Sequence, residues 1–168
     1  MTHVPPEVAQ AITRQKARYA RYSDLKQWDK FAQEIALPDA RYSFLDTDGN
    51  PLVLGKQALV FDSAKSCATF YSNSFAQMDT HHAVGPGDFE QVAPDQVKAV
   101  FSVEGQVISK QLGSWVEIRG GGYYFETWQL VDGQWYLKEM TMQRTFQKES
   151  FLVTAGTFVA NLLGLSLF

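Results

Sequence analysis

The chain has 168 residues, 15 basic against 18 acidic, and a net charge of −3. That length suits one domain with a substantial core, and mixed charge without a basic run argues against a nucleic-acid surface. A single cysteine, Cys67, excludes an internal disulfide and fits a reducing, cytoplasmic setting.

Pro5-Pro6-Glu7 suits a helix start, with proline in the first turn and an acid near the positive end of the dipole. The first predicted helix runs from Val8 to about Arg21, with Ala9, Ile12, Ala17 and Tyr19 on one broad face. A second is predicted from Asp24. There Leu25, Trp28, Phe31, Ala32 and Ile35 recur at spacings of three and four, and Leu37-Pro38 ends the pattern. Ala40 to Leu45 reads as a strand, and Asp46-Thr47-Asp48-Gly49-Asn50-Pro51 as a turn. Gln57 to Phe75 has no breaker and is predicted as a third helix.

From Met78 the texture is β. The predicted strands are 78–84, 89–92, 96–109, 114–130 and 134–146, with Gly85-Pro86-Gly87 breaking the first and Asp132-Gly133 forming a two-residue hairpin. Gly120-Gly121-Gly122 lacks the Lys-Ser/Thr of a phosphate loop and marks a bulge or bend. Residues 151–168 carry no charged side chain, yet Thr154, Thr157, Asn161, Ser166 and two glycines weaken them as a membrane span. They are expected to pack on the domain, residues 1–146, or on a partner subunit.

Helices, a strand, a helix and a long meander make an α+β pattern, with helices covering one face of a curved sheet. Such a sheet leaves a conical cavity lined by alternate strand residues. Along residues 122–130 one face carries Gly122, Tyr124, Glu126, Trp128 and Leu130, the other Tyr123, Phe125, Thr127 and Gln129. An aromatic content of 14% either fills the core or lines a pocket for a flat apolar ligand.

Three stretches carry a resemblance: Arg18–Asp29, His81–Gly85 and Tyr124–Tyr136. Over residues 8 to 146 the chain resembles SnoaL-like domains of the nuclear transport factor 2-like superfamily, with the scytalone dehydratase family as nearest pattern. The resemblance implies a cone-shaped α+β barrel, a homodimer or homotrimer and cofactor-free chemistry. It also implies catalytic roles for Asp24, in Ser23-Asp24-Leu25-Lys26-Gln27-Trp28-Asp29, and for His82, in the strand before Gly85. The chain departs from that family in several places. Ser23 and Phe44 stand where two tyrosines would, no histidine lies in 103–108, and Gly122 and Tyr124 replace a serine and an asparagine. What is left is an acid–base pair in an aromatic cavity.

Each candidate has a structural alternative. Asp24 either orients His82 or caps the second helix. His82 is either a general base/acid or a satisfied core histidine; on a strand His81 points the other way. Glu126 shares the parity of Tyr124 and would be a second acid, or else an ion-pair partner of Lys138 or Arg119. Tyr19 and Tyr124 would hydrogen-bond a substrate walled by Phe44, Trp128 and Met140; Tyr19 could equally be a core aromatic, and core packing is the favoured reading for Phe44 and Met140. The pair His81-His82 cannot bind one metal ion from opposite faces, and no other ligand spacing appears. The reading is an isomerase, cyclase or dehydratase for a small cyclic polyketide- or terpenoid-type substrate; the alternative is a non-catalytic binding or protein-interaction module.

Overall fold

A computed structural model describes residues 4–156. Helix α1, Pro6–Asp24, turns Ile12, Lys16, Tyr19 and Ser23 inward along one stripe. It ends without a glycine: Lys26 takes the left-handed conformation, at φ 58°. The Gln27 amide donates to the Tyr22 carbonyl at 2.8 Å and the Lys26 amide to the Ser23 carbonyl at 3.2 Å, a Schellman closure. A short α2, Trp28–Lys30, runs on as a π-helical stretch, Phe31–Ile35, that buries Phe31 and Ile35.

Strand β1, Ala36–Leu45, follows at once. The small strands β2, Val53–Leu54, and β3, Gln57–Ala58, pair with each other, and β4, Val60–Phe61, pairs with β1. Helix α3, Ala64–Ser74, is capped by the Ser63 hydroxyl, which accepts from the Ser66 amide at 3.1 Å. The long strands are β5, Met78–Ala93; β6, Gln96–Ser109; β7, Gly113–Val131; and β8, Gln134–Glu149. The main sheet has the order β4-β1-β8-β7-β6-β5, with β1 parallel to β8 and every other pair antiparallel. Helix α1 packs on β5 and β8, and α3 on β1, with the core between helices and sheet. The expected α+β fold is what forms, and the β7–β8 hairpin turns at Asp132-Gly133 with both φ angles positive.

Three boundaries differ from the sequence expectation. Asp24 closes α1 instead of opening the next helix, which removes its reading as an N-cap. The predicted third helix is a helix only from Ala64, because Ser63 supplies the cap and residues 53–61 pair as strands. Gly85-Pro86-Gly87 does not end β5. The strand lies at the sheet edge, where a proline costs no ladder bond, and a register shift between Val84 and Gly87 absorbs the irregularity. Residues 151–156 are helical, so the apolar C-terminal stretch predicted to pack on the domain or a partner lies largely outside the described residues. Among the described residues no helix is long and apolar enough to cross a membrane.

The three glycines act on space. A side chain at Gly121 would meet the Phe146 ring, and one at Gly122 would place its Cβ 1.9 Å from the Gln143 carbonyl oxygen, where β7 and β8 shift register. Gly122→Ala therefore has to move backbone and is expected to cost on the order of 2–3 kcal/mol in urea unfolding. Unchanged stability would show that the bulge relaxes freely.

Candidate active site

Asp24 ends α1 directly against β5. Its Oδ1 meets His82 Nδ1 at 2.7 Å and accepts from Thr80 Oγ1 at 3.1 Å, and its Oδ2 accepts from the His82 backbone amide at 3.0 Å. Lys26, in its left-handed conformation, donates to Thr80 Oγ1 at 2.5 Å and so braces the same cluster. Burial alone would raise the Asp24 carboxyl. The hydrogen bonds and charge of His82, with the Thr80 hydroxyl, overcome it and hold the pKa below its ordinary 3.8. An ionised carboxylate only accepts, so the His82 Nδ1 that faces it carries a proton, and in the neutral ring Nε2 is the nitrogen that holds the lone pair. His81 points outward, as strand parity requires, with its side chain 76% exposed; its Nδ1 still lies 3.8 Å from Asp24 Oδ2.

His82 lines a cavity of about 110 Å³ and Asp24 does not, so the carboxylate sits behind the imidazole. The walls are Trp28, Phe31, Phe44, Tyr71, Phe75 and Met142. Tyr19 and Tyr124 also reach it, their rings 5.7 Å apart; burial raises both phenols. On the sheet side the floor includes Gly105 and Gly120, cross-strand partners without side chains.

Glu126, Trp128 and Met140 share strand parity with residues of the cavity but do not line it. Farther along the strands, the helices pack directly on the sheet and close the space. Trp128 and Met140 are fully buried there. Glu126 accepts from Lys16 Nζ at 2.5 Å and from Trp128 Nε1 at 2.9 Å. Lys16, and not Lys138 or Arg119, is thus its partner. Burial lowers the Lys16 pKa against the opposing pull of Glu126, and the ammonium stands 3.4 Å from the Tyr124 ring centroid and 3.9 Å from that of Tyr19. The ion pair is the bed on which both cavity tyrosines rest.

Sequence reasoning missed Lys16 and Arg144. Lys16 had a usable signal, since it falls on the helical stripe of Ile12, Tyr19 and Ser23. Arg144 lines the cavity two residues beyond Met142 on β8, on the same strand face. Among the described residues no cluster of three or more His, Cys, Asp or Glu could hold a metal ion.

The SnoaL-like domain family matches residues 7–141. A Gibberella zeae protein named a probable cyclase is 37% identical over 145 residues, 86% of this chain and 96% of that protein. Among solved structures, a Novosphingobium aromaticivorans protein assigned as a scytalone dehydratase superposes with a TM-score of 0.68 at 16% identity, over 83% of this chain and 85% of that one. A hexachlorocyclohexane dehydrochlorinase of Novosphingobium barchaimii gives 0.66 at 16% identity, over 84% and 89%. These two likenesses speak to fold alone, the nuclear transport factor 2-like cone.

Two outcomes follow from this geometry. Glu126→Gln leaves a buried ammonium unpaired and is expected to cost about 3–5 kcal/mol, while a Lys16→Met/Glu126→Leu double variant recovers most of it in urea titrations. A Glu126→Gln protein of unchanged stability would contradict the pairing. Because the folded Asp24 pKa is depressed, its contribution to stability is complete above 3.8 and lost as pH falls from there through the folded value. The stability gap between wild type and Asp24→Asn should therefore shrink in that acid window; a gap flat with pH would remove the His82 linkage.

Proposed function

The chain belongs to the SnoaL-like family, as an enzyme of the isomerase, cyclase or dehydratase type, and we propose that His82 carries the proton in its reaction. The observation behind this is the 2.7 Å contact of His82 Nδ1 with Asp24 Oδ1 at the wall of an aromatic cavity. Nε2 removes a proton from a substrate carbon flanked by an electron-withdrawing group. The imidazolium so formed is held by the Asp24 carboxylate. It then returns the proton to another carbon, giving an isomer; to the alkoxide formed when the carbanion adds to a carbonyl carbon of the same molecule, closing a ring; or to a departing hydroxyl, giving water and an alkene. Asp24 fixes the tautomer and ring angle; Tyr19 and Tyr124 donate to substrate oxygens.

We assign the substrate to a cyclic, largely apolar intermediate of polyketide or terpenoid type. Flat walls such as Trp28, Phe44 and Tyr71 support a ring-bearing substrate held near its reactive shape. In this reading Glu126 keeps a structural place under the tyrosines. Half-exposed Tyr123 and Phe125, on the outer face of β7, support a homodimer or homotrimer through that face.

The test uses the intermediate that accumulates in cells lacking the gene. His82→Gln is expected to lower kcat at least 100-fold and Asp24→Asn 10- to 100-fold, both at native folding by circular dichroism. Turnover surviving both substitutions would overturn the His82 assignment; an intermediate that the wild type binds but never converts would leave a binding module.

A further inference from the structure

We propose that the substrate enters the cavity as an anion, with a carboxylate or an ionised 1,3-dicarbonyl enol held by Arg144. The inference deepens the functional reading and rests on the cavity being the active site. Arg144 is the one charged side chain among the lining residues described. Its Nε is buried with no hydrogen-bond partner, and among the described residues no carboxylate lies within 4.0 Å of its guanidinium. Nothing else on the wall supplies a negative charge. Burial raises the Cys67 thiol and the Tyr19, Tyr71 and Tyr124 phenols, so all four stay neutral, and the Asp24 carboxylate is committed behind His82. An arginine stays protonated in proteins, so a neutral ligand that displaced water here would leave a guanidinium unpaired in an apolar pocket. A planar oxyanion answers the fork with two parallel hydrogen bonds.

The floor decides where that oxyanion sits relative to the base. Gly105 and Gly120 face each other across β6 and β7. A Cβ built on Gly105 would lie 3.8 Å from the His82 ring, and one on Gly120 would lie 3.8 Å from Arg144 Nε. His82 and Arg144 thus flank one side-chain-free patch of sheet from opposite sides. A ring lying on that patch presents a carbon to Nε2 at one edge and its oxyanion to Arg144 at the other. For a β-keto carboxylate, the same guanidinium also stabilises the enolate charge that grows when His82 removes a proton from the carbon between the two carbonyl carbons.

Two matched probe pairs test this, read by tryptophan fluorescence with calorimetry on the full chain at pH 7. Benzoate is compared with benzamide, and dimedone, a cyclic 1,3-diketone ionised at that pH, with its neutral enol methyl ether. One or both anions should bind about 10- to 100-fold tighter than their neutral partners, and which one does separates the carboxylate from the enol source. Arg144→Met should erase the preference and Arg144→Lys should keep a few-fold remainder, since the charge stays and the fork is lost. Equal binding of anion and neutral partner in the wild type, or a preference that survives Arg144→Met, overturns the proposal. His82→Gln should keep the full preference. A His82→Gln protein that discriminates the probes yet turns over the native intermediate normally would sink the proton-carrier reading and leave the anion site standing.

Discussion

One carboxylate joins the two halves of this molecule. Asp24 is the last residue of α1, and it takes hydrogen bonds from the His82 amide, the His82 ring and the Thr80 hydroxyl, all on β5. The edge strand and the first helix are thereby fixed to each other at the mouth of the cone. The same contact sets the tautomer of the imidazole that faces the cavity. Structure and chemistry here rest on the same short set of bonds, and the helix must end where it does for them to form. Lys26 makes that ending by taking a left-handed backbone without being glycine, and its ammonium reaches Thr80 from there.

A second buried charge pair divides the inner face of the sheet into two zones. Around Glu126, Trp128 and Met140 the face is closed, because Lys16 reaches down from α1 and neutralises the carboxylate. Around Tyr124, Met142 and Arg144 the face is open, because Gly105 and Gly120 withdraw side chains from the floor. Tyr19 and Tyr124 sit at the border, with the Lys16 ammonium beneath them and the cavity above. The polar contents of the two zones differ accordingly. The closed zone holds a paired charge, which is the condition for burying one; the open zone holds an unpaired guanidinium.

Much of the fold was legible because β-meanders announce themselves. Alternation along residues 78–146 and the Asp132-Gly133 turn marked β6, β7 and β8 to within a few residues, and β5 as two pieces split at Gly85-Pro86-Gly87. Short pairings were not legible: β2 to β4 span two residues each, too few for a period, and β3 and β4 read as the start of a helix. The boundary at Asp24 was misplaced because the usual stop signal, a glycine, is absent and lysine takes its role. Within the site, the facing of Asp24 and His82 came from a resemblance and not from spacing, since 58 residues separate them. Strand parity correctly put Glu126 and Tyr124 on one face but could not say where along that face the helices leave room. Arg144 was invisible for the same reason, as a basic residue near a strand end normally reads as solvated surface.

The central claim is that Asp24 holds His82 with Nδ1 protonated and Nε2 free to take a proton. Nitrogen-15 chemical shifts of the histidine rings in the full chain measure this directly. The account predicts that the neutral His82 ring is the Nδ1–H tautomer in the wild type, and that Asp24→Asn redistributes it toward Nε2–H. A wild-type His82 protonated at Nε2, or a tautomer indifferent to Asp24→Asn, would contradict it.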